Sequence, residues 1–204
     1  MLSWISEYQG PLSVLINAGM LAIWLLYAQL LLSDYRRKMR PKILINQSLG
    51  TALKSRCLIC NMSEQSLYVS LVIAELITKQ KTYRCSVTDL EITHGDKHTS
   101  TTVQGPLKGG AYRDMGEFNN IIQRVIGLTS ENQDQSIIEK DHTLRLYVIG
   151  LYGSEDQPVG AVREFRFGRD DNEDLCLNPT NIHTKNLTGK RNQKEINSWL
   201  ENYL

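Results

Sequence analysis

The stretch LLYAQLLLSDYRRKMRPK, residues 25–42, passes from a largely apolar run into five cations within seven positions. Its reading decides the fold, because it separates a greasy rod from everything that follows. Upstream, residues 12–32 form a run of 21 without a single charge. At 1.5 Å rise per residue such a helix is about 30 Å long, the thickness of a bilayer's hydrocarbon core. A cleavable secretory signal would place cations before a shorter apolar run and small residues after it. Here Glu7 precedes the run, Leu30, Leu31 and Leu32 end it, and the cations follow. The pattern therefore predicts a retained anchor. A buried core helix is the competing reading, but core helices rarely go this long without charge or end in RRKMRPK.

Trp4, Tyr8 and Tyr35 flank the run where amphipathic rings favour the membrane interface. Arg36, Arg37, Lys38, Arg40 and Lys42 orient the span, since cations stay on the cytoplasmic side. The expected topology is a short outer tail (1–10), a transmembrane helix (11–33), a basic juxtamembrane segment (34–42) and a cytoplasmic remainder. The expected location is the plasma membrane, or the inner membrane of a bacterium, crossed once. Pro41 stops the helix just past the headgroups. Within the span, Asn17 is the deeper of two polar residues, the other being Gln29, and is the candidate for a helix–helix hydrogen bond.

Charge is unevenly spread along the 204 residues. The chain as a whole is +1, residues 1–42 carry +3, and the remainder is −2. That remainder lacks the basic field a nucleic-acid binder requires. After Pro41 the hydrophobic period changes from helical to alternating. Strands are predicted at 42–47, 52–61, 66–78 and 81–91, with extended chain near 100–113 and a hairpin from 143–153 and 158–168. Six or seven short strands match an immunoglobulin-like β-sandwich over 43–168. Phe118, Ile121, Ile122, Val125 and Ile126 share a helical face, with Asp114 and Glu117 as a capping box and Gly127 as a stop. Residues 169–190 read as a polar linker. Residues 191–204 form an amphipathic helix whose face is Ile196, Trp199, Leu200, Tyr203 and Leu204. That face fits a membrane surface, its own domain or another subunit.

Motifs for chemistry are sparse. Cys57 and Cys60 spell C-x-x-C, but residues three apart on a strand point to opposite faces, and no second pair exists to complete a zinc ribbon. With Cys85 and Cys176 they read as four free thiols in a reducing compartment. His94, Asp96 and His98, with His142 further on, are weak metal candidates that spell part of a two-histidine, one-carboxylate set. A charged loop at a strand end explains them as well. Asp170, Asn172 and Asp174 lack the glycine and glutamate of a calcium loop, and Gly105–Gly110 lacks the ending of a phosphate loop. No cofactor, nucleic-acid partner or small-molecule substrate is implied, and no catalytic set is visible. The expectation is a membrane-anchored, non-enzymatic module that binds a membrane or cytoplasmic protein. An accessory or pore-forming subunit that assembles with itself is the second expectation, and a small membrane-tethered metalloenzyme the third.

Overall fold

The structure, a computed structural model, describes residues 9–48, 53–94, 97–129, 142–153, 157–170, 173–187 and 189–203. The chain divides into two compact units, Met1–Arg40 and Pro41–Leu204.

The first unit is the helix α1, Gln9–Lys38, with Arg36, Arg37 and Lys38 in its last turn. Cations there complement the negative end of the helix dipole, and Lys38 also pairs with Asp34 at 3.5 Å. None of the residues of α1 is buried. It is the one helix among the described residues long and apolar enough to cross a membrane.

The second unit is mainly β, and all its strand pairs are antiparallel. β1 (Ile43–Gln47), β2 (Arg56–Asn61) and β8 (Tyr112–Glu117) make a small sheet in the order β1-β2-β8. A large sheet runs β11-β10-β9-β3-β4, from Leu175–Pro179, Pro158–Arg169, Thr143–Tyr152, Leu67–Ile77 and Thr82–Ser86 respectively. β7 (Gly105–Leu107) adds to β3, and β12 (Lys185–Leu187) adds to β10. β5 (Asp89–His94) and β6 (Lys97–Thr102) form a separate hairpin.

Alternation along each strand divides the apolar residues between two cores. Ile43, Ile45, Cys57, Ile59 and Met115 of the small sheet meet Leu67, Val69, Val72, Leu144, Leu146, Phe165 and Phe167 of the large one. Helix α2, Phe118–Thr129, inserts Phe118, Ile121, Ile122, Val125 and Ile126 into the same core. The outer face of the large sheet carries Leu71, Ile73 and Ile149. There Ile196 and Trp199 of helix α3, Lys190–Tyr203, cover it. Strand β3 serves both cores because a bulge between Val69 and Leu71 resets its alternation. The bulge brings the Tyr68 carbonyl against Gly150, where a Cβ would sit 2.2 Å from that oxygen, so β9 needs glycine there.

Antiparallel sheets around a shared core are what the alternating pattern predicted. The finer immunoglobulin-like expectation calls for a four-strand and a three-strand sheet. The large sheet instead has a five-strand path with two additional strands.

Three local readings change. Residues 169–190 contain β11 and β12, not only linker. Their polar composition reflects an edge position, where half of each short strand faces water. Asp114 is in β8 rather than at a helix start. Its carboxylate accepts the Gly116 N–H at 2.8 Å and the Arg56 Nε–H at 2.5 Å. The helix therefore begins four residues later, and it continues past Gly127 to Thr129. The predicted strand 81–91 is broken into β4 and β5 around Val87, which turns into the core.

Candidate functional site: the cleft under the C-terminal helix

The long strand β3 carries a single charged residue. Glu75 lies on its outer face and is only 3% exposed. Strand register sets its neighbours. Arg84 of β4 lies opposite on one side and Arg145 of β9 on the other, and Arg145 in turn faces Glu164 of β10. Four adjacent strands thus present a row of alternating charge, Arg84–Glu75–Arg145–Glu164.

The contacts follow from that register. Arg84 donates from Nε at 3.0 Å and Nη2 at 2.5 Å to Glu75 Oε1. The Tyr147 hydroxyl donates to Glu75 Oε2 at 3.2 Å, and Arg145 Nη1 stands 3.6 Å from the same oxygen. Arg145 Nε also donates to Glu164 Oε1. Trp199 of α3 closes the row from above. Its ring lies 5.6 Å from the Arg84 guanidinium and packs edge-on against Tyr147 at 4.8 Å.

Burial pushes the Tyr147 phenol up to about 12, and the Glu75 charge adds to the shift. Burial is the largest single influence on Arg84 and Arg145 and works against their charge, but the hydrogen bonds to Glu75 and Glu164 together with the attraction of nearby negative charge raise both. Arg84 and Arg145 are therefore held as cations, with a neutral tyrosine beside them.

At the Glu164 end the row opens into a cleft of about 420 Å³. Its floor is Arg145, Tyr147, Val162 and Glu164, and its walls are His183, Lys185 and Leu187 on one side and Asn192, Glu195 and Trp199 on the other. Both signs of charge, two amide side chains (Asn181 and Asn192) and an aromatic edge line it. Such a lining offers hydrogen-bond donors and acceptors side by side. Among the described residues that line it there is no cysteine, serine or threonine.

The neighbouring Arg163 faces the opposite way, into the interior. It donates to Ile45 O at 2.5 Å and Asn46 Oδ1 at 3.0 Å, and burial lowers its pKa. Thr184 and Asn186 complete that seam. Their side-chain oxygens accept the N–H groups of Ile45 and Ile43, each at 3.0 Å. The outer edge of β1 is thereby satisfied by side chains instead of another strand.

The sequence-predicted residues are scattered. Cys57 is buried and Cys60 half-buried, and all four cysteines are free. Burial pushes the thiols of both Cys57 and Cys60 up, the opposite of what a reactive thiol requires. The backbones of His94 and His98 belong to the β5–β6 hairpin, where Thr93 pairs with His98 and His94 with Lys97. Asp96 lies outside the described residues. His142 is buried before β9, its carbonyl accepting the Phe167 N–H at 3.0 Å. Among the described residues no three His, Cys, Asp or Glu side chains group as for a metal. Asn17 is exposed on α1. Ile196, Trp199, Leu200 and Tyr203 pack on the large sheet, so the amphipathic face meets its own domain. Leu204 lies outside the described residues.

The charge row was missed because nothing local in the predicted strand 66–78 marks it. Its one signal was a lone glutamate in that strand, matched by a lone arginine in each of two others, β4 and β9.

Comparison of the chain with protein-family models, with curated proteins and with solved structures gives no match.

Proposed function

We propose that this chain is a single-pass membrane protein. In this reading it holds a cytoplasmic recognition domain at the inner face of the bilayer, and the cleft under α3 receives a polar segment of a protein partner. The observation that carries the reading is α1: a helix with an uncharged run from Leu12 to Leu32 and no buried residue. Exposing that much apolar surface to water is strongly unfavourable, and lipid removes the cost. The basic residues from Arg36 to Lys42 support an orientation with Pro41–Leu204 inside. The cleft supports recognition rather than catalysis, because its charged floor is already paired and offers hydrogen bonds without an activated nucleophile.

Two experiments test it. A cysteine added after Leu204 should resist a membrane-impermeant thiol reagent in intact cells and react after permeabilisation; labelling in intact cells refutes the orientation. A photo-crosslinking residue at His183 should trap a protein that the same probe at Lys81 does not. Equal capture at both positions refutes the cleft as the contact.

Asn17 favours a second reading, a subunit of an oligomeric membrane complex. Its amide lies within the uncharged run, where a partner amide on another helix would satisfy it. Native mass spectrometry from mild detergent decides: a strict monomer, unchanged by Asn17→Leu, removes this reading.

A further inference from the structure

Among the described residues of the second unit, five large apolar side chains are exposed, and four of them lie at one end. Met62 (55% exposed) and Tyr112 (68%) are on the outer face of the small sheet, and Tyr68 (47%) and Leu151 (41%) are on the outer face of the large one. Register joins each pair. Tyr112 lies beside Cys60, two residues before Met62 on the same face, and Tyr68 lies directly opposite Leu151. The fifth, Ile182, is in the connection between β11 and β12.

That end is also where the chain enters the domain. The Met62 N–H donates to Lys42 O at 2.8 Å, and the Lys42 N–H donates to Ser63 Oγ at 2.7 Å. The turn at Gly109 packs so tightly on this segment that a Cβ there would lie 2.4 Å from Glu64 O. The Gly153 N–H, at the β9 terminus, donates to Ser66 O at 3.0 Å. Lys42 and Lys108 are exposed on this surface, with Glu64 as the opposing charge. The other end of the same strands has a different character. Its turns expose Lys79, Gln80 and Lys81, then Arg169, Asp170, Glu173 and Asp174.

The geometry points to this end as a membrane-contact surface: Met62, Tyr68, Tyr112 and Leu151 rest in the headgroup region of the bilayer that α1 crosses. The inference rests on the anchor reading and extends it. Chain length enforces proximity, because five steps from Lys38 to Ile43 reach at most about 18 Å. Tyrosine favours the boundary between hydrocarbon and water, methionine and leucine gain by leaving water, and lysine beside them complements anionic headgroups. A freely tethered domain would have no reason to gather its exposed apolar side chains at the end nearest the lipid. The domain is therefore held in one orientation, with the polar turns facing the cytoplasm.

Site-specific quenching in the reconstituted full-length protein tests this. Cys60→Ser removes the one native thiol that is not buried. Single cysteines then replace Tyr112, Leu151, Lys81 and Trp24 and carry an environment-sensitive dye in vesicles of phosphatidylcholine and phosphatidylserine. The expected result is loss of emission at 112 and 151 with a headgroup-region nitroxide lipid, and protection there from iodide. Position 81 should behave in the opposite way, and position 24 should respond to a nitroxide deep in the acyl chains. If 24 responds while 112 and 151 are as open to iodide as 81, the contact surface is refuted and the anchor stands. If 112 and 151 are shielded from both quenchers, protein covers them, and the inference is again overturned. If 24 does not respond to the deep lipid, the anchor reading fails and the contact surface fails with it.

Discussion

Replacing Glu75 by Gln keeps the shape of the charge row and removes the charge at its centre. The carboxylate accepts two hydrogen bonds from Arg84 and one from Tyr147, with Arg145 3.6 Å away. Bonds to a charged group contribute about 1.5–3 kcal/mol each and neutral ones about 0.5–1.5, so the change of the Tyr147 bond to a neutral one, together with the lost attraction between Arg84 and the carboxylate, costs about 2 kcal/mol. The remaining amide also leaves Arg84 and Arg145 on either side of a neutral group. Breaking a fully buried pair costs about 3–5 kcal/mol. Both arginines keep contact with water here, which limits the total to about 2–3 kcal/mol. At about 2–4 °C per kcal/mol for a domain of this size, Tm should fall by about 4–12 °C. Near-ultraviolet circular dichroism of the full chain in detergent measures it, since Trp199 and Tyr147 report the same site. Adding Arg84→Gln should recover part of the loss, because Glu75 is the carboxylate that Arg84 pairs with and the unbalanced cation is then gone. A Tm within about 1 °C of the parent, or a double variant less stable than the single, would show that this charge does not organise the row.

Other outcomes follow from the same geometry. Trp199→Ala should cost about 3–5 kcal/mol and expose α3 to limited proteolysis before the sheets unfold. Arg163→Met should cost about 2–3 kcal/mol and speed hydrogen exchange at the amides of Ile43 and Ile45, while leaving the amides of α1 unchanged. At alkaline pH, Tyr147 keeps its proton in the folded state up to about 12 but loses it near 10 when unfolded. The folded state then binds more protons than the unfolded one, so stability should fall from about pH 10 to about pH 12, and Tyr147→Phe should flatten part of that slope in denaturant titrations. Asn17→Leu should change helix association by only about 0.6 kcal/mol if the amide is paired within the bilayer, measurable by energy transfer between labelled copies.

How much of this was legible from residues alone depends on the range of the interaction. The span from Leu12 to Leu32 and its basic end are local, and composition alone marks them. The same holds for the face of α2, where five apolar residues at helical spacing all enter the core. What escaped was set by register between distant strands. Glu75 acquires its partners only when β3, β4, β9 and β10 align, and no local pattern encodes that alignment. The sheet's strand order is likewise invisible to alternation, which specifies faces but not neighbours. Asp114 misled for a related reason. A carboxylate three residues before a glutamate suits a helix start, but here it serves Gly116 and Arg56 within the sheet. β11 and β12 were hidden by their shortness and by the polar residues between them.

The seam along β1 bears on the order in which the molecule can be completed. Ile43 and Ile45 are among the first residues of the domain to be synthesised, and the oxygens that satisfy their N–H groups, on Asn186 and Thr184, come 143 and 139 residues later. Until those late residues emerge from the ribosome, β1 keeps open donors along its outer edge. Chains that terminate early would retain that raw edge, a template for pairing with other polypeptides. The final fifth of the protein thus acts as a zip fastener whose last teeth close beside the first.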